Sequence, residues 1–246
     1  MFEQVVFQPN LYVDNLAITR TGNTTLTIGT GACRDPDNTQ DINVAATITI
    51  DASVNGVNGL DTGSLANSTW YRVFLIADPQ GFNPVKGLVS TSATPVMPAG
   101  YGLLKRIGWM KTNGSAQFLA VYISGNSKLK FYQWDVPISV LAGGSSTSFL
   151  AAALSGGMPP QATPVYLNAL YTPALAANTA SVRPTGSSAA ALSCPIEFKG
   201  QVNTVPLKQS MIKFLPQLAT GAPSLDYIVT ASDTLTLTVA GFEDYI

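Results

Sequence analysis

The run Asp35-Pro36-Asp37-Asn38-Thr39-Gln40-Asp41 places side-chain oxygens at alternate positions, the pattern from which a calcium loop is built. Calcium takes roughly six to eight oxygens from a loop that can wrap the ion, commonly with a central glycine and a closing glutamate. Neither is present here, and Pro36 stiffens the start. An Asx-rich turn between strands is therefore the expected structure, and Asp35, Asp37 and Asp41 are assigned no metal. Glycoside hydrolysis needs two carboxyl groups about 5 to 9.5 Å apart. The glutamates are Glu3, Glu197 and Glu243, and the aspartates stand mostly in turn contexts such as Asp78-Pro79, so no such pair stands out. The chain has no histidine, the commonest general base near neutral pH. That excludes Ser-His-Asp and Cys-His catalysis within the chain, and a zinc site would have to be made without imidazole. A Ser–Lys dyad has no motif behind it. The expectation is a protein that is not an enzyme and holds no cofactor.

Binding chemistry has more material. Trp70, Trp109 and Trp134, with Tyr101, Tyr122 and Tyr132, offer aromatic faces of the kind that stack on sugars, although Trp70 and Trp109 stand in strongly apolar strands and are expected in the core. Lys128, Lys130, Tyr132 and Trp134 alternate along one strand and share a face. That edge is the candidate ligand or partner surface. Lys105-Arg106 is an isolated basic pair inside a strand pattern, expected to face solvent or to pair with a neighbouring subunit.

The elements that must position these residues read as strands. Trp70-Tyr71-Arg72-Val73-Phe74-Leu75-Ile76 is the densest apolar and aromatic run. It is apolar on both faces, which requires cover on both sides and marks a central strand. Before it, Leu16 to Ile28 reads as a hairpin around Gly22-Asn23, and Ile42 to Ile50 as one half-buried strand. After it, Asp78-Pro79-Gln80-Gly81 is a turn, Leu88-Val89 returns as a hairpin, and Pro95 to Gly100 is a loop. Leu103–Thr112, Ala116–Ile123 and Lys128–Trp134 follow, separated by Asn113-Gly114 and Gly125-Asn126, with a meander as the simplest pairing. Residues 135–164 are punctuated by Pro and Gly and mark a boundary, with Phe149–Leu154 read as a strand rather than a helix. Further strands are expected over 165–171, 181–183, 196–202, 210–215, 226–230 and 234–242. The last alternates cleanly, with Leu235, Leu237 and Val239 on one face and Thr234, Thr236 and Thr238 on the other. The fold class is all-β, with two β-sandwich, jelly-roll-like parts, residues 1–135 with a short N-terminal arm and residues 136–246.

Composition bounds the partners. Of 246 residues, 46% are hydrophobic and 11% charged, against roughly 25% charged in ordinary soluble domains. A surface so poor in charge suits contact with neighbouring proteins, because interface centres disfavour Lys, Asp and Glu. The net charge of −1 and the lack of a basic run speak against nucleic acid. No secretory signal or membrane span is expected. Cys33 and Cys194 would pair only with their Cα atoms within about 7 Å, and two buried thiols in a reducing cytosol are the expected state.

GLDTGS…TWYRVFLI…STSATPVMPAGY…KRIGWMKTNG, within Gly59 to Gly114, resembles a segment of structural and fibre-like proteins of tailed bacteriophages and prophages. Ala32-Cys33-Arg34-Asp35, Asp41-Ile42 and the closing strand Leu235 to Phe242 fit the same pattern. The resemblance covers about residues 30 to 115. It implies a virion protein assembled in the host cytoplasm, without a catalytic motif, that works through contacts with other virion proteins. A tail-fibre or tail-attachment component and a capsid decoration (cement) protein both fit, and a homo-oligomer, trimeric by the habit of such proteins, is expected. The alternative is a lectin-like module reading a host surface glycan through Tyr132 and Trp134. The chain lacks heptads, collagen triplets and any fixed repeat, so it is not a long fibre shaft.

Overall fold

The computed structural model describes residues 12–125, 128–160, 164–190, 196–200, 206–219 and 222–246. Among them the protein is all-β and sandwich-like, without helix. The strands are β1 (Val13–Asn15), β2 (Ile18–Arg20), β3 (Thr25–Ile28), β4 (Gly31–Arg34), β5 (Asp41–Val44), β6 (Ile48–Asp51), β7 (Gly59–Leu60), β8 (Trp70–Ala77), β9 (Lys86–Ser90) and β10 (Leu103–Lys111). They continue with β11 (Val121–Ser124), β12 (Leu129–Gly144), β13 (Leu150–Ala153), β14 (Val165–Thr172), β15 (Thr179–Pro184), β16 (Ile196–Lys199), β17 (Leu207–Phe214), β18 (Gln217–Ala219), β19 (Ala222–Val229) and β20 (Thr234–Tyr245).

The chain forms two compact units, Met1–Phe131 with Asp244–Ile246, and Tyr132–Glu243. The division falls inside β12. The Pro- and Gly-marked stretch over 135–164 supplies most of β12 and all of β13. The strand reading of Phe149–Leu154 holds for Leu150–Ala153, which pairs antiparallel with β19.

In the first unit, β8 is flanked by β10 on one side and β9 on the other, both antiparallel. Its Tyr71, Val73 and Leu75 enter the main core with Leu26, Ile28 and Ile50 from β3 and β6. Its other face carries Phe74 and Ile76, which pack with Leu88 under Met97, Tyr101 and Leu104. Both faces are therefore covered, as the two-sided apolar run requires. The sheets come close at Gly87 of β9, where a Cβ would lie 2.2 Å from the Cδ1 of buried Ile50.

Two pairings differ from expectation. Residues 42–50 are not one strand. β5 belongs to the sheet β1-β4-β5 and β6 to β2-β3-β6, with Ala45, Ala46 and Thr47 exposed between them. Ile42 and Val44 face the core from one sheet and Ile48 and Ile50 from the other, so unbroken alternation hides a change of sheet. The meander also fails at its first step. β10 pairs with β8, residues 113–118 form a tight turn closed by the Thr112–Phe118 bridge, and only Val121–Ser124 remains as a strand beside β12.

In the second unit, one sheet runs β12-β20-β14-β17 and the other β13-β19-β15-β16, with β18 on β19. Leu235, Leu237 and Val239 of β20 lie inward, as do Leu167, Ala169 and Tyr171 of β14. The Tyr171 ring reaches Phe198 of β16 at 6.2 Å between centroids, so the sheets face each other. Buried Asp233 ties the turn before β20 into this core. It accepts hydrogen bonds from Tyr171 Oη at 2.5 Å, Ala174 N at 2.7 Å and Asn178 Nδ2 at 2.8 Å. Burial and this carboxylate together push the Tyr171 phenol upward.

Candidate interaction surface

The aromatic edge expected on β12 turns inward. Lys130, Tyr132 and Trp134 do share a face, but all three are buried, and only Lys128 is exposed. Alternation fixes which residues lie together, and leaves open which side is the core. In the second unit Tyr132 stacks on Phe242 at 4.4 Å with an 8° interplanar angle. Trp134 lies 6.1 Å from the same ring, and its Nε1 donates to Gly157 O at 2.8 Å. These rings have no free face for a sugar.

In the first unit Lys130 Nζ donates to Leu16 O at 2.7 Å. Asn15 and Leu16 both have positive φ, 61° and 59°, a left-handed bend that L-residues adopt only at a cost. The buried ammonium takes up a carbonyl at this bend. Burial pushes the Lys130 amine down to about 8, with Asp244 pulling the other way.

The Asp35 loop is occupied by its own donors. Asp35 Oδ1 accepts from Thr39 N at 2.7 Å and Gln40 N at 2.8 Å, and Oδ2 accepts from Thr39 Oγ1 at 2.7 Å. Burial works against ionisation of Asp35, and these hydrogen bonds outweigh it, so its carboxyl sits below the ordinary value. Asp41 pairs with Arg34 at 2.9 Å, and Asp37 is exposed. Among the described residues no group of three His, Cys, Asp or Glu is placed to hold a metal ion. The site is the Asx-rich turn.

Lys105-Arg106 turns toward the interior of its own unit. Arg106 Nη1 pairs with buried Asp244 at 2.7 Å and Nη2 donates to Tyr245 O at 3.0 Å. Lys105 is buried, and desolvation pushes its amine down. Near it Cys33 is a buried free thiol, raised by burial to about 12. Cys194 lies outside the described residues, as do Glu3 and most of the expected N-terminal arm. Arg72 and Arg106 both stack on the buried Trp109 ring, at 4.7 and 5.3 Å, and Trp70 meets that ring edge-on. Tyr101 is half-buried, and Tyr122 is exposed.

The prominent exposed side chain was not among the sequence candidates. Phe82, on the loop joining β8 to β9, is 87% exposed. Its loop is held from within. Asp78 accepts from Gln80 N at 2.8 Å, Asn83 N at 3.0 Å and Asn83 Nδ2 at 2.8 Å, and Gly81 N closes a turn on Asp78 O at 3.0 Å. Tyr101 Oη donates to Pro84 O at 3.2 Å and braces the base. The sequence signal was a lone aromatic set among turn formers, Pro79-Gln80-Gly81-Phe82-Asn83-Pro84. Two clefts flank the base. One of about 550 Å³ is lined by residues 43–49, Asn58 and residues 84–86. The other, about 430 Å³, lies against Gln40, Asp41, Asn43, residues 77–81 and 83–85, and Leu103. These two share Asn43, Pro84 and Val85. An exposed aromatic on a hydrogen-bonded loop thus stands beside two open clefts.

No protein-family model, curated protein or solved structure matches this chain.

Proposed function

We propose that this chain is a non-enzymatic structural protein of a tailed-bacteriophage virion, an accessory tail-fibre or tail-attachment component or a capsid decoration protein. The observation that carries the reading is the resemblance of Gly59 to Gly114. Those residues build the sheet β10-β8-β9-β7 and the loop that bears Phe82, so the resembling segment also carries the exposed aromatic. The low charge and the absence of histidine support the same reading. It acts through protein–protein contacts and self-associates, as a trimer in this reading. The lectin-like alternative loses its stated platform, because Tyr132 and Trp134 are enclosed.

Electron microscopy of purified virions labelled with an antibody to this chain tests the proposal. Label over the head means decoration, and label on the tail means a fibre or attachment role. Virions without label, from cells in which the chain is expressed, would overturn it.

A further inference from the structure

We propose that Phe82 of one copy seats in the cleft formed by residues 43–49 and 84–86 of a second copy of this chain. The occupant is chosen on charge, shape and placement. From Pro79 to Val85 the knob has no ionisable side chain. The cleft presents Ala45, Ala46, Thr47 and Thr49 as exposed side chains over Val44 and Ile48, and its one charged residue is Lys86. Knob and cleft are therefore both nearly neutral, and the knob brings the cleft no charge to desolvate. A cleft of about 550 Å³ has room for a partner's aromatic side chain.

The placement favours self-association over an unrelated partner. Phe82 stands two residues from Pro84, which with Val85 forms part of the cleft wall. Where copies meet around a symmetry axis, each gives a knob and receives one within a small patch at that axis. A knob next to its own cleft meets that requirement. The Asp78 hydrogen bonds hold the loop before any contact is made, so little ordering entropy is lost on docking. An aromatic anchor of this kind is where interface energy concentrates.

This inference rests on the reading above only in taking the chain to self-associate. Its test is a mass measurement with a cross-link, separate from virion labelling, so either proposal can fail alone. Light scattering of the full chain at micromolar concentration should give about three times the 25.8 kDa chain mass. Phe82→Asp, and independently Ala46→Arg at the exposed cleft wall, should each reduce the mass to one chain with an unchanged far-ultraviolet spectrum. A photo-cross-linking residue at position 82, in a mixture of light and heavy isotope-labelled chains, should join light to heavy peptides within residues 43–49. A two-chain mass with that same cross-link also supports the contact. A monomeric wild type, folded variants that keep the wild-type mass, or cross-links that land elsewhere overturn it. The cross-link does not depend on either variant folding.

Discussion

Lys130→Met should change how the stability of the first unit depends on pH. The Lys130 amine falls from 10.5 to about 8 on folding, which corresponds to about 3 kcal/mol of disfavoured charge. Below about pH 8 both folded and unfolded chains hold the proton, and the penalty is present in full. Between about 8 and 10.5 the unfolded chain binds a proton that the folded chain does not, so stability rises with pH. The rise between pH 7 and 9 works out to about 1.3 kcal/mol. Cys33 acts in the opposite sense, since its thiol is raised from 9.0 to about 12 and stability is lost as pH rises through that window. Lys105 and Lys111, also pushed down by desolvation, act in the same sense as Lys130. All three cancel in the difference between wild type and variant. The assay is guanidinium unfolding of both proteins at pH 6, 7, 8 and 9 and constant ionic strength, followed by tryptophan fluorescence. The free-energy difference should grow in favour of wild type by about 1 kcal/mol from pH 7 to 9. A constant difference, or one of the opposite sign, refutes the reasoning that this ammonium is charged and desolvated against Leu16 O.

Trp134→Ala should cost about 3–5 kcal/mol in unfolding, because the indole fills the second unit's core beside Phe242; a variant as stable as wild type would restore the exposed-platform reading. Asp233→Ala removes the acceptor of three hydrogen bonds and should cost about 3 kcal/mol or more, with the Tyr171 phenol titrating at lower pH by ultraviolet absorbance. Gly87→Val should lower the first unit's stability by about 1–3 kcal/mol in the same denaturation assay, since the added atoms meet Ile50.

The parts of the fold legible in the sequence are those where one residue's neighbours decide the matter. Trp70 to Ile76 is apolar on both faces and became the strand with cover on both faces. Thr234 to Val239 alternates and became a strand with Leu235, Leu237 and Val239 inside. What was not legible depended on distant partners. Nothing local says that Ala45-Ala46-Thr47 passes between sheets, or that β10 pairs along its length with β8 while the pairing across Asn113-Gly114 stops at the Thr112–Phe118 bridge. The same limit governs the site. Alternation puts Tyr132 and Trp134 on a common face, but whether that face meets solvent is settled by Phe242, about a hundred residues later in the chain. Phe82 escaped notice for the converse reason, since aromatic residues are usually buried and only the loop around this one shows that it is not.

The return of Asp244–Ile246 to the first unit has a consequence for synthesis on the ribosome. Arg106 receives its carboxylate from Asp244, and Ile246 N donates to Lys128 O at 2.8 Å. More than a hundred residues are therefore translated after Arg106 before its ion pair can form. One strand, β20, therefore completes both units, since its residues up to Phe242 pair in the second and Asp244 serves the first. The two units receive their last pieces within the same short stretch of synthesis, and neither is finished well ahead of the other.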